Sequence, residues 1–460
     1  MNIARLLIAN RGEIAARIIR TCRDLGIESV LAASDADLHS TPARQADQVV
    51  RIGPPPAGKS YLNIEAVIAA ARAARVDALH PGYGFLAENP RLARACDEIG
   101  IIFVGPTEAN LHSVGDKLEA RRQAAAAGLP VVPGGAAEDA ATGVKLAETL
   151  GYPVLIKAVS GGGGKGMKRV FQPAEMAGQM TLAMAEAGAA FGDPRVYVER
   201  YVESGRHVEI QILGDGREVI HLGDRDCSIQ RRYQKLLEEA PAPDLPEAVR
   251  GAMREAAVAL GRQLHYRGLG TVELLYDRLS QSFYFLEVNA RIQVEHPVTE
   301  AITGLDLVAE QIAVAEGRPL RIRQEEVTFN GHAIECRINA EDPARDFQPS
   351  PGAILEASFP AGAGVRVDSH IEKGVVVPPF YDSLLAKVIS HGADRSAAVQ
   401  AMQQALGNTR IGGIATNLGM HEALLEDPEF RRGGYDTNFF TRHMQEMSAT
   451  PRAVTGGGHG

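Results

Sequence analysis

Thr271-Val272-Glu273-Leu274-Leu275-Tyr276, then a short polar turn, then Phe283-Tyr284-Phe285-Leu286-Glu287-Val288-Asn289 reads as an antiparallel hairpin of two apolar-rich strands. Pairing within one residue of register places Glu273 opposite Glu287. Two facing carboxylates among Leu, Phe and Tyr repel each other and lose hydration unless a cation lies between them. Side chains repeat every two residues along a strand, so Asn289 adds an oxygen ligand on the face of Glu287. Hard oxygen ligands in small number suit Mg²⁺, or Mn²⁺ in its place, that keeps water and bridges substrate phosphates; zinc is not indicated. If the chain stays extended past Asn289, the same alternation puts Glu287, Asn289, Arg291, Gln293 and Glu295 on one side and Val288, Ala290, Ile292 and Val294 on the other. One face would then carry metal ligands, a fork for an anion and a base. A half-solvated strand gives the same alternation, but favours interchangeable Lys, Thr and Ser over facing carboxylates.

Upstream, Pro153 to Ala158 reads as a strand, Ser160-Gly161-Gly162-Gly163-Gly164-Lys165-Gly166 as a loop, and Met167 to Phe171 as a second strand. Gly161, Gly163 and Gly166 formally satisfy G-x-G-x-x-G, yet a strand and not a helix follows, which excludes the dinucleotide fingerprint. Met167 stands where a Walker lysine would be. The loop is either a surface hairpin or a lid whose bare amides, with Lys157 and Lys165 beside them, close over phosphates.

Nearer the N-terminus, Arg5 to Asn10 reads as a strand, Ile14, Ile18, Ile19, Cys22 and Leu25 recur at helical spacing, and Ser29 to Ala33 is a second strand. With the helix Ile64 to Arg75 and strands Asp77 to His80 and Ile101 to Val104, this predicts a doubly wound parallel sheet over residues 1–112. Its first turn, Asn10-Arg11-Gly12-Glu13, has one glycine, so NAD is not expected. His80 to Phe85 falls at a strand end, where α/β sheets bind ligands, but taken alone a plain turn is the better explanation. A helix over Asp116 to Ala127, within a connector 113–132, is broken by Pro130 to Gly135. A small unit 133–204, a larger antiparallel-rich part 205–446 and a glycine-rich tail 447–460 follow, so the expected class is α/β joined to α+β.

The chain has 460 residues, 45% hydrophobic and 23% charged, which predicts several packed subdomains of an ordinary globular enzyme. A net charge of −9 gives no general attraction to nucleic acid or to an anionic membrane. Cys22, Cys96, Cys227 and Cys336 are scattered with no metal-site spacing, which points to reduced thiols and a cytoplasmic location. Arg5 and Arg11 bracket Leu6 to Ala9 too tightly for a signal peptide or a membrane span.

These residues resemble the ATP-grasp superfamily and, within it, the biotin carboxylases. The matching strings are Ile8 to Ile14, His80 to Asn89, Ser160 to Met167, Arg206-His207-Val208-Glu209-Ile210-Gln211, Glu287 to Glu300 and Glu335 to Asp342, spread over roughly residues 1–445. The resemblance implies an N-terminal parallel-sheet domain, an ATP-grasp lid and a C-terminal antiparallel domain. It further implies ATP-dependent carboxylation of biotin by bicarbonate through carboxyphosphate. Lys117 and Lys157 would bind ATP phosphates under Gly162, Gly163, Gly164, Lys165, Gly166 and Met167. Glu199, Arg200, Val202 and Leu275 would line the adenine cleft, with His207 and Gln230 near the ribose and Tyr233 beside the nucleotide. Glu273, Glu287 and Asn289 match metal positions, and Lys235, Arg291, Gln293 and Val294 a bicarbonate pocket. Glu295 matches the general base, Arg337 the group facing the biotin oxyanion, and Tyr83 the biotin-proximal turn.

Two positions depart from the pattern: Tyr233 stands where histidine is expected, and Ala290 where threonine or proline is. Tyrosine cannot carry positive charge, so nucleotide affinity or its pH dependence would differ, whereas Ala290 points off the ladder face. Met167-Lys168 is followed by Arg169, so no Met-Lys-Met biotinylation tripeptide occurs and the biotin belongs to a carrier protein or to a further module. A carboxyltransferase subunit and a homodimer are the other implied partners. The acyl acceptor stays open among acetyl-CoA, propionyl-CoA, pyruvate and urea. An ATP-grasp carboxylate–amine ligase would share the lid and ladder, but Arg291, Glu295 and Arg337 argue against it. A non-catalytic nucleotide-binding subunit should have lost ladder residues that are all present.

Overall fold

The structure, a computed structural model, describes residues 2–159 and 167–449. Its N-terminal sheet has the order Gln48–Gly53, Glu28–Ser34, Arg5–Ile8, Ala78–His80, Ile102–Phe103, all parallel. Leu6, Leu7 and Ile8 are fully buried because helices cover both faces of the central strand. The strand stops two residues before the predicted end because Asn10 has another task. Its Nδ2 donates to the carbonyls of Pro81 (2.8 Å) and Tyr83 (2.7 Å), which fastens the turn after Ala78–His80 to the first strand–helix turn. Gly82 takes a positive φ of 62° there, and a Cβ would meet Asn10 Nδ2 at 2.8 Å, so this turn needs glycine.

Helix Lys117–Ala126, capped by Asp116, leads to a four-stranded antiparallel sheet ordered Gly134–Ala137, Val196–Arg200, Val154–Ala158, Lys168–Val170. Helices Ala140–Leu150 and Pro173–Phe191 cover it over a core that includes Val154, Ile156, Met176, Met180, Val196 and Val198. Val154 pairs with Val170 and Ile156 with Lys168, so the strands flanking the glycine stretch form an antiparallel pair. Gly162, Gly163, Gly164, Lys165 and Gly166 themselves lie outside the described residues.

An eight-stranded antiparallel sheet fills the rest, in the order Ser282–Asn289, Arg267–Asp277, Gly205–Asp215, Val219–Arg231, Gln234–Ala240, His332–Asn339, Leu384–Gly392, Val365–Ser369. Parallel and antiparallel parts coexist as the mixed class requires. Among the described residues no helix is long and apolar enough to cross a membrane.

One expectation fails. The chain does not run extended from Glu287 to Glu295: the strand ends at Asn289, and a turning segment leads into helix His296–Thr303. Ala290 is buried at the bend and its amide donates to Glu88 Oε1 (2.9 Å).

Candidate active site

Glu209, Glu273 and Glu287 are direct cross-strand partners, one on each of three adjacent strands, and Arg225 is the partner of Glu209 on the fourth. Three carboxylates in one row repel, so the row persists only with cations laid along it. Arg225 Nη2 sits 3.2 Å from Glu209 Oε2 at one end. Lys235 Nζ bridges the middle, bonding Glu209 and reaching Glu273 Oε1 at 3.0 Å. His207 Nε2 lies 2.9 Å from Glu273 Oε2, and Gln230 Nε2 lies 2.7 Å from His207 Nδ1. Burial opposes the charge on Glu273, but Lys235 and then His207 outweigh it and hold its carboxyl well below the usual range.

The last member differs. Burial, and then the charge of Glu273, push Glu287 up, with Lys117 only partly offsetting them. Asn289, two residues on, has a buried Nδ2 with no hydrogen-bond partner among the described residues, while its Oδ1 accepts from Arg291 Nη2 at 2.6 Å. A divalent cation between Glu273 and Glu287 would relieve this repulsion.

The turning segment delivers the remaining groups. Glu295 lies between Lys235 Nζ (2.8 Å) and Arg337 Nη2 (2.8 Å). Burial would raise its carboxyl, yet Lys235, then Arg337 and Arg225, keep it well below the ordinary value. Gln293 joins Glu273 (3.1 Å) to Arg225 (2.6 Å). Arg291 is held by Glu88 Oε2 (3.0 Å) and Asn289, and the Val294 carbonyl accepts from Lys387 Nζ at 2.7 Å. Lys387 also meets Glu13 Oε2 (3.2 Å), whose other oxygen accepts from Tyr83. Arg337 acts electrostatically on Tyr83, so the expected biotin-proximal groups share one neighbourhood.

On the lid side, Lys157 pairs with Glu199, and Arg121 Nη1 stands 3.5 Å from the same carboxylate. Burial lowers the Lys117 ammonium and Lys157 lowers it further, while Glu287 and Glu199 pull it back up. Two lysines thus converge on the open end of the carboxylate row, as a polyphosphate site requires. Arg200 Nη2 donates to Tyr284 OH (2.7 Å), Val202 is buried, and Leu275 is the strand partner of His207. Met167 is half-buried at the edge of the described residues. Tyr233 is 42% exposed at the tip of the two-residue turn that joins Val219–Arg231 to Gln234–Ala240, within electrostatic reach of Tyr201.

The sequence reading missed Glu209, Arg225, Glu88 and Lys387. Glu209 had a legible signal, since His207, Glu209 and Gln211 alternate as Thr271, Glu273 and Leu275 do. Glu88 falls in the string His80 to Asn89 without a signal for its role, and Arg225 and Lys387 stand outside every string singled out.

A lysine-bearing lid sheet over a row of carboxylates on a large antiparallel sheet is the arrangement of an ATP-grasp enzyme. Residues 116–323 match the family described as carbamoyl-phosphate synthase L chain, ATP binding domain. Residues 2–111 and 335–442 match the biotin carboxylase N-terminal and C-terminal domains. A biotin carboxylase of Nostoc sp. is 49% identical over 97% of this chain and 100% of its own. The Campylobacter jejuni biotin carboxylase, solved with a β,γ-ATP compound, superposes with a TM-score of 0.93 at 43% identity, covering 96% of this chain and 99% of its own. The biotin carboxylase domain of Hydrogenobacter thermophilus 2-oxoglutarate carboxylase, solved as a dimer with MgADP, ADP and bicarbonate, gives 0.92 at 42%, covering 96% and 98%. The chain belongs to the biotin carboxylase family of ATP-dependent ligases.

Proposed function

We propose that the protein carboxylates biotin at the expense of ATP, with bicarbonate as the carbon source and carboxyphosphate as the intermediate, giving carboxybiotin, ADP and phosphate. The observation that carries this reading is the junction at Lys235, where the carboxylate row meets Glu295 and Arg337. Mg²⁺ or Mn²⁺ held by Glu273, Glu287 and Asn289 would neutralise charge on the phosphates of the bound nucleotide. Lys117 and Lys157 take the phosphates from the lid side, with Met167 and residues 162–166 as further proposed nucleotide contacts. Glu199, Arg200, Val202 and Leu275 enclose the base, His207 and Gln230 stand near the ribose, and Tyr233 closes one edge.

Bicarbonate is a poor electrophile and has to be deprotonated and phosphorylated. Lys235, Arg291, Gln293 and the Val294 main chain seat it against Glu295. At rest Glu295 is a weak base because Lys235 and Arg337 neutralise it. An arriving anion draws those cations to itself, and the proton affinity of Glu295 rises as a proton is presented. Carboxyphosphate then breaks down to carbon dioxide and phosphate, and the phosphate takes the biotin ureido proton. Arg337, permanently charged, faces the resulting oxyanion, with Tyr83 beside the ring.

A biotin carboxyl carrier protein or domain, a carboxyltransferase subunit and a second copy of the chain are the proposed partners, and the cytoplasm the proposed location. The acyl acceptor is set by the carboxyltransferase partner. The test is ADP release with ATP, Mg²⁺ and bicarbonate, with and without free biotin. Stimulation by biotin is expected. Stimulation by an amine or organic acid in its place would overturn the reading in favour of a carboxylate–amine ligase.

A further inference from the structure

Behind Arg337 lie two carboxyl groups that the mechanism above does not use. Glu238, on strand Gln234–Ala240, is the direct cross-strand partner of Glu335, on strand His332–Asn339. Directly opposed residues in an antiparallel pair hold their Cβ atoms only about 5 Å apart, so the two carboxyls are within reach of each other. Both residues are fully buried. Glu238 Oε1 is ion-paired with Arg337 Nη2, which also bonds Glu295 Oε2 at 2.8 Å. Among the described residues, Glu238 Oε2 and both oxygens of Glu335 meet no other donor. Two fully buried carboxylates side by side with three empty acceptors would be severely destabilising. A single proton between them removes the conflict, because one carboxyl becomes the donor that the other lacks.

We propose that Glu238 is a positioning residue for Arg337, and that Glu335 holds it in place as a neutral acid donating to Glu238. The assignment of the proton follows from the neighbours. Glu238 has Arg337 against it, with Lys235 and Glu295 further off; burial raises it to about 7 while Arg337 opposes. Glu335 has Lys387 on the neighbouring strand, but that ammonium is taken by Glu13 and the Val294 carbonyl. Burial raises Glu335 well above the ordinary value against the opposing charges of Lys387 and Arg337, and Glu238 and Glu295 add to the rise. His296, on the helix packed against this strand, is held neutral by burial and then Lys387, so it offers no charge. Arg337 is therefore shared between a fixed anchor, Glu238, and the base, Glu295. When Glu295 gains a proton, the guanidinium keeps its anchor and stays aimed at the biotin oxygen.

This inference rests on the biotin carboxylase reading, and wild-type ADP release with and without biotin separates failure of the two. With wild type stimulated by biotin, Glu238→Gln is expected to lose ~10-fold or more in biotin-dependent kcat while KM for ATP moves less than about twofold. Glu335→Gln keeps a neutral donor and is expected to lose no more than about threefold, whereas Glu335→Leu loses about as much as Glu238→Gln. Wild-type activity in Glu238→Gln, or equal damage in Glu335→Gln and Glu335→Leu, would overturn the proposal. Thermal stability gives an independent reading. An acid raised above its unfolded value stabilises the fold below that value and loses the contribution as pH rises toward the folded one. The Tm of Glu335→Gln relative to wild type should therefore climb as pH rises above the ordinary carboxyl range. A constant difference would show that Glu335 is charged throughout.

Discussion

Glu295 illustrates how one residue's role depends on what shares its charge. The family resemblance named it as a base, but its resting state follows from Lys235 and Arg337, which approach from strands far away in sequence. Glu295→Gln keeps the shape and removes the proton acceptor. Turnover should fall by ~100-fold or more, with nucleotide affinity, read by fluorescence titration, within about twofold. Parallel loss of nucleotide binding would mean that Glu295 organises the phosphate site instead. Glu209 shows the reverse. It stands in a string already singled out, yet its place in the row is visible only once Arg267–Asp277 is seen between Gly205–Asp215 and Ser282–Asn289.

At the scale of elements, the facing of Glu273 and Glu287 was readable because a hairpin is local: a turn and two alternating runs fix the register. The straight ladder to Glu295 was not readable. Alternation of polar and apolar side chains persists through an irregular bend, because Ala290 and Ile292 still point into the core on one side of it. The turn Arg232-Tyr233 is also informative. Both residues have positive φ, 49° and 67°, which hairpin geometry demands and which costs side-chain-bearing residues about 1 kcal/mol each. Replacing the pair by Asn-Gly should slow amide exchange in the two flanking strands by about fivefold, equivalent to ~1 kcal/mol of local stability. Unchanged exchange would show that contacts of Arg232 or Tyr233 compensate. A rise in KM for ATP in the same variant is the expected mark of Tyr233 touching the nucleotide.

Across the whole molecule, buried ion pairs lock the units around the site. Arg17 on the first helix bonds Glu300 (2.7 Å) and Asp306 (2.8 Å) next to the catalytic segment, and Glu300 also takes Arg366 (2.6 Å) from the C-terminal part. Arg17→Met strands these acids, so unfolding in urea should show about 3 kcal/mol less stability. A loss under about 1 kcal/mol would mean that the pairs do not join the units energetically. By itself the sequence determined what is local: the first strand–helix turn, the paired strands around the glycine stretch, the Glu273–Glu287 hairpin and the residue types of the site. Only tertiary structure decided which cation neutralises which carboxylate, that Glu209 and Arg225 complete the row, and that Glu238 and Glu335 meet behind Arg337. Hydrophobic period and turn chemistry act over a few residues and are written in order along the chain. Charge balance in a buried site is instead set by distance between strands that the sequence does not place next to one another.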